Sequence, residues 1–258
     1  MDVELLTAAI MEPALGPAVP AQVLLCDPGD GLVLVDTGFG TADLADPAQR
    51  LGPMRRVLRP RLDPSLTVVE RLRRRGIEPE AVTDIVLTHL DLDHMGGVDD
   101  FPGARVHTTA DEYAAAVTDP DPLDRVRYRQ SQLATFPRPV LHTGRGDVWE
   151  FGLTGHEVLP GVVLVPMPGH SRGHAAVAVA QGDRWILHAG DALFDASVLD
   201  PALGRRATIR AFERSVGRDQ RAISRNHRLL AELHLLPQVT VVLAHDPRAS
   251  LRSHPAGR

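Results

Sequence analysis

Between positions 89 and 94 the chain reads His89-Leu90-Asp91-Leu92-Asp93-His94, followed by Met95-Gly96-Gly97. Four side chains of metal-ligating type within six residues are costly to hold together unless a cation neutralises them. The cluster follows residues 84–88 (Asp-Ile-Val-Leu-Thr), an apolar run of buried-strand type, so it lies at a strand's C-terminal end, where a loop frees side chains from strand alternation. Three later segments repeat the device: Val165-Pro166-Met167-Pro168-Gly169-His170, Leu187-His188-Ala189-Gly190-Asp191 and Val242-Leu243-Ala244-His245-Asp246. Strand ends gathered on one edge of a layered fold make a site, and the chemistry these residue types support is cation binding.

Positioning such strand ends requires a layered α/β framework. Residues 21–26 and 32–36 read as strands separated by Asp27-Pro28-Gly29-Asp30-Gly31, and the turn predicts that they pair antiparallel. Residues 38–64, rich in Pro, Gly, Asp and Arg, read as one long loop whose apolar members Phe39, Met54 and Leu58 could line a groove or pack. A helix is expected over 65–75, with Leu66, Val69 and Leu72 on one face and Gly76 as its stop, then a strand over 105–108 and a helix over 110–117. Pro120, Pro122, Pro137 and Pro139 bracket an Arg-rich helix expected over 123–134, and the segment 118–150 is the candidate substrate-covering insertion. Strands follow at 162–166, 175–180, 184–189 and 239–244, with a helix over 219–235 before the last. Strands with interspersed helices, met twice, suggest two αβ halves packed sheet to sheet in a single domain over 1–258.

Composition narrows the function. A formal charge of -5 supplies no positive field for a phosphate backbone, so nucleic acid is not an expected partner. All basic side chains are Arg; the missing lysine removes Schiff-base and P-loop chemistry. The single cysteine, Cys26, cannot form an internal disulfide and fits a reducing cytosol. Met1-Asp2-Val3-Glu4 carries acids where a secretory signal carries bases, and no apolar run has the length of a membrane span. A cytoplasmic protein without membrane association is the expectation.

The order Val35-Asp36-Thr37-Gly38, Thr88-His89 through Gly97, Pro168-Gly169-His170-Ser171-Arg172-Gly173-His174, Gly190-Asp191 and His245 resembles the metallo-β-lactamase superfamily over roughly residues 20 to 247. As a set the motifs are specific. The resemblance implies a four-layer αβ/βα sandwich with two divalent metal ions at one edge of the paired sheets. His89, Asp91 and His170 would hold the first ion, Asp93, His94 and His245 the second, and Asp191 would bridge them. Two such ions about 3.5 to 4 Å apart bring a bridging water towards its hydroxide and stabilise the oxyanion formed when it attacks a carbonyl. Asp93 would then pass a proton to the leaving group, and Asp36 would orient ligands from behind. Most two-zinc hydrolases of the superfamily have His where this chain has Asp91, whereas a carboxylate occurs there in its diiron flavoproteins and in some less characterised hydrolases. Zn2+ is the expected ion, with Fe or Mn open because Asp91 is a harder donor.

Among the other histidines, His107, His142, His156, His227, His234 and His254 are expected to be structural or on the surface, and His174 and His188 to lie behind the ligands. Phe194 stands three residues after Asp191, where lactonases of the superfamily place a tyrosine, so either Tyr128 supplies that hydroxyl or the metal acts alone. Arg125-Val126-Arg127-Tyr128-Arg129 could recognise an acidic or polar substrate group, but an Arg-rich helical face is usually solvated surface, and that reading leads. The reading that results is a lactonase-like, metal-dependent hydrolase of a small ester, lactone or thioester. The alternatives are a diiron oxidoreductase-like protein, for which a flavin domain has no room after His245, and a non-catalytic metal-binding scaffold, which the complete ligand set opposes.

Overall fold

The computed structural model describes residues 1–14 and 16–248. Three strands open the chain, β1 (Asp2–Met11), β2 (Val19–Asp27) and β3 (Leu32–Val35), antiparallel in sequence order. Three short helices follow, α1 (Thr41–Ala45), α2 (Pro47–Arg50) and α3 (Met54–Leu58), then α4 (Val68–Arg73). Strand β4 (Val82–Val86) joins β3 in parallel, and the chain passes through helix α5 (Leu92–Met95) to a parallel β5 (Arg105–Thr109). Helices α6 (Ala110–Tyr113), α7 (Pro122–Arg127) and α8 (Gln130–Leu133) lead to β6 (Val140–His142), which completes a six-stranded sheet of order β1-β2-β3-β4-β5-β6.

The second sheet runs from β7 (Asp147–Val148) through β8 (Thr154–Leu159), β9 (Val162–Pro166), β10 (Ala175–Gln181) and β11 (Arg184–His188). After helices α9 (Ala207–Val216) and α10 (Gln220–His234), β12 (Val239–Val242) pairs parallel to β11 and closes a second six-stranded sheet.

Strand alternation produces the layers. On β2, Leu24 and Cys26 face Leu164, Val177 and Ile186 of the second sheet, while Val23 and Leu25 face Val68, Val69 and Leu72 around α4. The second sheet does the same, with Val163, Val165 and Leu187 packing against Leu230 and Leu233 of α10. Both sheets are therefore covered on two faces, which is why their strands read as unbroken apolar runs. The result is the four-layer αβ/βα sandwich.

Several boundaries differ from the sequence reading. Residues 38–64 are not one loop, because α1, α2 and α3 occupy most of them; each is under two turns, too short for a periodic signal. The helix expected over 123–134 is two helices, because Tyr128 is extended at φ -82°, ψ 141° and ends α7. β1, β6, β7, β8 and α9 were not foreseen, and the loop expected at 89–94 turns into helix α5 from Leu92; the expected antiparallel pairing of 21–26 with 32–36 is present. No described helix is long and apolar enough to cross a membrane.

Candidate metal centre

Both sheets end at one edge, and their strand ends carry the polar residues. The loop after β4 delivers His89 and Asp91, and α5 delivers Asp93 and His94; the turns after β9, β11 and β12 deliver His170, Asp191 and His245. Their ligand atoms form two groups that could each hold a metal ion, His89, Asp91, His170 and Asp191 in one, and Asp93, His94 and His245 in the other, with atoms within 4.8 Å of one another in each group. Asp191 faces both. Its Oδ2 lies 3.1 Å from His170 Nε2 and 3.7 Å from His89 Nε2, and its Oδ1 lies 3.2 Å from His94 Nε2 and 3.1 Å from His245 Nε2. The turn before it demands glycine: Gly190 has φ +51°, and a Cβ there would come within 2.8 Å of His174 Nε2 and 2.9 Å of Thr88.

Hydrogen bonds behind the rings fix which nitrogen points inward. His94 Nδ1 lies 2.8 Å from Asp36 Oδ2, and His245 Nδ1 lies 2.7 Å from the Pro20 carbonyl. Both partners only accept, so both Nδ1 atoms donate. Thr88 gives its hydroxyl proton to Asp36 at 2.8 Å, so its oxygen is free to accept from His89 Nδ1 at 3.0 Å. In the neutral rings, the Nε2 lone pairs of His89, His94 and His245 therefore face inward. Those of His94 and His245 face each other at 3.3 Å. Acceptors that face each other in a buried place are reconciled by a proton on one ring or by a cation between them, and the ligand-type residues around this pair suit the cation.

Two further observations fit a metal. His89 Nε2 and Asp191 Oδ1 are buried without a hydrogen-bond partner, although carboxylate and imidazole atoms lie within ion-pair distance. Unpartnered buried polar atoms this close to further ligand-type atoms are the arrangement an ion would satisfy. Protonation also follows the charge pattern. Burial opposes charge on His94, yet Asp191, Asp36 and Asp93 raise its pKa well above the ordinary value, while burial and the Arg127 charge push His170 down to about 4. Asp191 is held well below the usual carboxylate range, since the neighbouring His245, His94 and His170 outweigh its burial. The His94 shift thus follows the carboxylates around it, and the His170 shift follows its burial and the Arg127 charge.

Two carboxylates outside the ligand groups organise them. Asp36, at φ +60°, accepts from Thr88 N at 2.8 Å as well as from the Thr88 hydroxyl and His94, so it orients a ring in each group. Glu112 was not singled out from the sequence. It is fully buried on α6 and accepts from Leu90 N, Tyr128 Oη, Ser171 Oγ and Gly173 N at 2.9, 2.9, 2.6 and 3.1 Å. Each donor neighbours a site residue in the chain, so one carboxylate ties the His89 loop, the His170 loop and α7 together. An isolated Glu in Ala110-Asp111-Glu112-Tyr113 gave no signal for this role.

Arg127 corrects a second expectation. It does not lie on a solvated face; its side chain is 16% exposed and grips Asp91 with two parallel hydrogen bonds, Nε to Oδ1 at 2.7 Å and NH2 to Oδ2 at 2.6 Å. Tyr128 is buried with its hydroxyl on Glu112, so it does not substitute for a hydroxyl at Phe194. His174 lies behind His89 and accepts from Asp191 N at 2.9 Å, and His188 donates to the Gln22 carbonyl at 2.8 Å, both behind the ligand groups as expected. His107, His142 and His156 form a separate cluster, and His227 pairs with Glu213. His254 lies outside the described residues.

Above the two groups opens a cavity of about 680 Å3. Asp91, Asp93, His170, Asp191 and His245 form its floor, and Met54, Leu58, Leu123, Val126, Phe194 and Phe212 are among its walls. Phe39 packs into the core below instead. A polar floor under apolar walls suits a small molecule with one reactive polar group.

A family model described as metallo-beta-lactamase superfamily matches residues 16–232; His245 lies beyond its end. A probable metallo-hydrolase of Mycobacterium tuberculosis is 43% identical over 240 residues, 91% of this chain and 77% of the relative. An N-acyl homoserine lactonase of Bacillus thuringiensis is 28% identical over 162 residues, 62% of this chain and 58% of the relative. Among solved structures, an N-acyl homoserine lactone hydrolase with N-hexanoyl-L-homoserine at its catalytic metal centre superposes with a TM-score of 0.69 at 22% identity, covering 95% of this chain and 93% of the other. A dizinc quorum-quenching lactonase superposes at 0.57 and 17% identity, over 89% and 73%. These likenesses carry the fold.

Proposed function

The chain belongs to the metallo-β-lactamase superfamily as a metal-dependent hydrolase, and from that premise we propose that it hydrolyses a small ester, lactone or thioester with an apolar acyl portion. The observation that carries this is the pair of buried ligand groups at the floor of an apolar-walled cavity. We assign His89, Asp91 and His170 to a first metal ion, Asp93, His94 and His245 to a second, and Asp191 to both. Zn2+ is the proposed ion, with Fe or Mn as alternatives that the harder Asp91 donor allows.

Two divalent ions, when bound, lower the pKa of water and polarise a carbonyl. The protein supplies the remainder. Asp36, Thr88 and the Pro20 carbonyl fix the ring tautomers so that the nitrogen lone pairs point inward. Asp93 lines the cavity with Oδ2 3.6 Å from His245 Nε2, a place from which it can pass a proton to a departing oxygen or sulfur. Phe194 packs its ring 5.0 Å from His245 and 5.6 Å from His170, so it excludes water there but contributes no hydroxyl. Helix α7 carries Leu123 and Val126 at the mouth, 66% and 81% exposed, and we propose that this part of segment 118–150 covers the substrate. The lactonases among its relatives and structural neighbours support the substrate class. The buried free thiol of Cys26 supports a reducing, cytoplasmic setting.

The test is turnover by metal-loaded protein of a panel of lactones, esters, thioesters and β-lactams of graded acyl length. Hydrolysis of at least one of the first three classes, abolished in Asp191→Asn, is expected. No turnover with two ions bound, or turnover of β-lactams alone, would reject the assignment.

A further inference from the structure

We propose that Arg127 is the counter-ion of the first metal position: it competes with the ion for Asp91 and His170, and so makes that position the weaker of the two. The inference rests on the assignment of those residues as ligands. All five guanidinium N–H groups have partners. Nε and NH2 meet the two oxygens of Asp91; NH1 donates to the His170 carbonyl at 2.9 Å and the Val216 carbonyl at 2.8 Å; NH2 also contacts His170 Nε2. Such a saturated fork has one geometry, and a lysine could not reproduce it.

The competition is local. Asp91 Oδ2 and His170 Nε2 lie 3.1 Å apart and both aim at the first ligand group, so they are the lone pairs an ion there must take. Arg127 NH2 holds both at once. An ion entering the group must push this NH2 back or share Asp91 with it. Among the described residues no guanidinium pairs with Asp93, His94 or His245, so the second group meets no such rival.

Charge makes the same point. An aspartate in place of an imidazole adds one negative charge to the first group, and the guanidinium on Asp91 restores the sum that an imidazole would give. Asp91 and Arg127 therefore act as a matched pair, and altering one member alone shifts affinity in a direction set by its charge. Removing Arg127 leaves a more negative, uncontested group, which binds a divalent ion more tightly. Replacing Asp91 by His leaves a buried cation beside the ion with no carboxylate to offset it, so the position weakens although imidazole is itself a good zinc ligand.

Stepwise Zn2+ binding, read by competition with a chromophoric chelator and checked by elemental analysis, tests this without any substrate. Wild type should take up two ions with affinities at least tenfold apart. In Arg127→Gln the weaker step should tighten at least tenfold with the stronger unchanged. Asp91→His should lose the weaker ion, and Asp91→His/Arg127→Gln should regain it. An unchanged or weakened weaker step in Arg127→Gln overturns the proposal, as does Asp91→His protein that keeps both ions at wild-type affinity. The Asp91→His pair decides the matter if Arg127→Gln does not fold. Wild type that binds no Zn2+ rejects the metal assignment itself, and this inference with it.

Discussion

Asp36 belongs to neither ligand group, yet it holds His94 directly and His89 through the Thr88 hydroxyl. Exchanging it for Asn keeps the shape but sets an amide donor either against the Thr88 N–H or against the Thr88 hydroxyl and His94 Nδ1. Asp36→Asn is expected to lower metal affinity by about 10- to 100-fold, measured by chelator competition, with the fold intact by circular dichroism. Glu112→Gln should loosen both ligand loops, since a buried acceptor of four hydrogen bonds gains an N–H that has no acceptor. Cys26 shows the opposite situation, a titratable group kept neutral. Burial holds its thiol up to about 12 against an ordinary 9.0. Stability should therefore fall as pH rises from 9.0 toward 12, because the unfolded chain ionises first, and Cys26→Ala should flatten that fall. The ligand-type residues were legible in the sequence because each ends an apolar run, where a polar residue stands out. Arg127 and Glu112 were not, because their partners are far along the chain and an Arg or Glu on a short helix has the signature of a surface residue.

Elements were legible in proportion to their regularity. The buried strands and α10 were visible as apolar runs or as a 3.6-residue period; α1, α2 and α3 are too short to show one. Helix α7 exists because Asp121 caps it, accepting from Leu123 N and Asp124 N at 2.9 and 3.1 Å, with Pro122 at its first position. It stops at Arg127, where the chain must turn to bury Tyr128. If α7 covers the substrate, Leu123→Ser with Val126→Ser should raise KM for an apolar acyl substrate by about tenfold while the metal content stays at wild-type level. A second element-level test lies at the sandwich edge formed by β5, β6 and β8. His107 bonds Asp84 at 2.9 Å and stacks on His142, whose ring nitrogen it approaches at 3.3 Å, and the His156 ring lies tilted beyond, 5.5 Å from His142 between centroids. Burial and the neighbouring His107 and His156 push His142 down to about 4 from an ordinary 6.5. The unfolded chain takes up its proton first as pH falls through that window, so stability should drop between 6.5 and 4. Denaturant midpoints of His142→Phe, flatter across the same window, would check it.

At the scale of the whole molecule, the centre joins the two sheets. Asp91, Asp93 and His94 come from the first half, His170, Asp191 and His245 from the second, and the His245 ring is itself held by the Pro20 carbonyl across the chain. An ion bound to both halves stabilises only the folded state, by about 2.7 kcal/mol at a free concentration a hundred times its Kd. Chelation should therefore lower Tm by roughly 5 to 10 °C, read by scanning calorimetry and reversed by adding metal. The pairing of the halves was foreseeable from the repeated strand-rich pattern, but the position of α7 over the site depended on tertiary contacts that no local pattern encodes. The most direct measurement is anomalous diffraction from crystals of metal-loaded protein, collected at the metal's absorption edge. Two peaks should appear in each chain, one at His89, Asp91 and His170 and one at Asp93, His94 and His245, with Asp191 between them. Peaks elsewhere, or no peak at either group in protein that retains its fold, would show that these side chains do not form a metal centre.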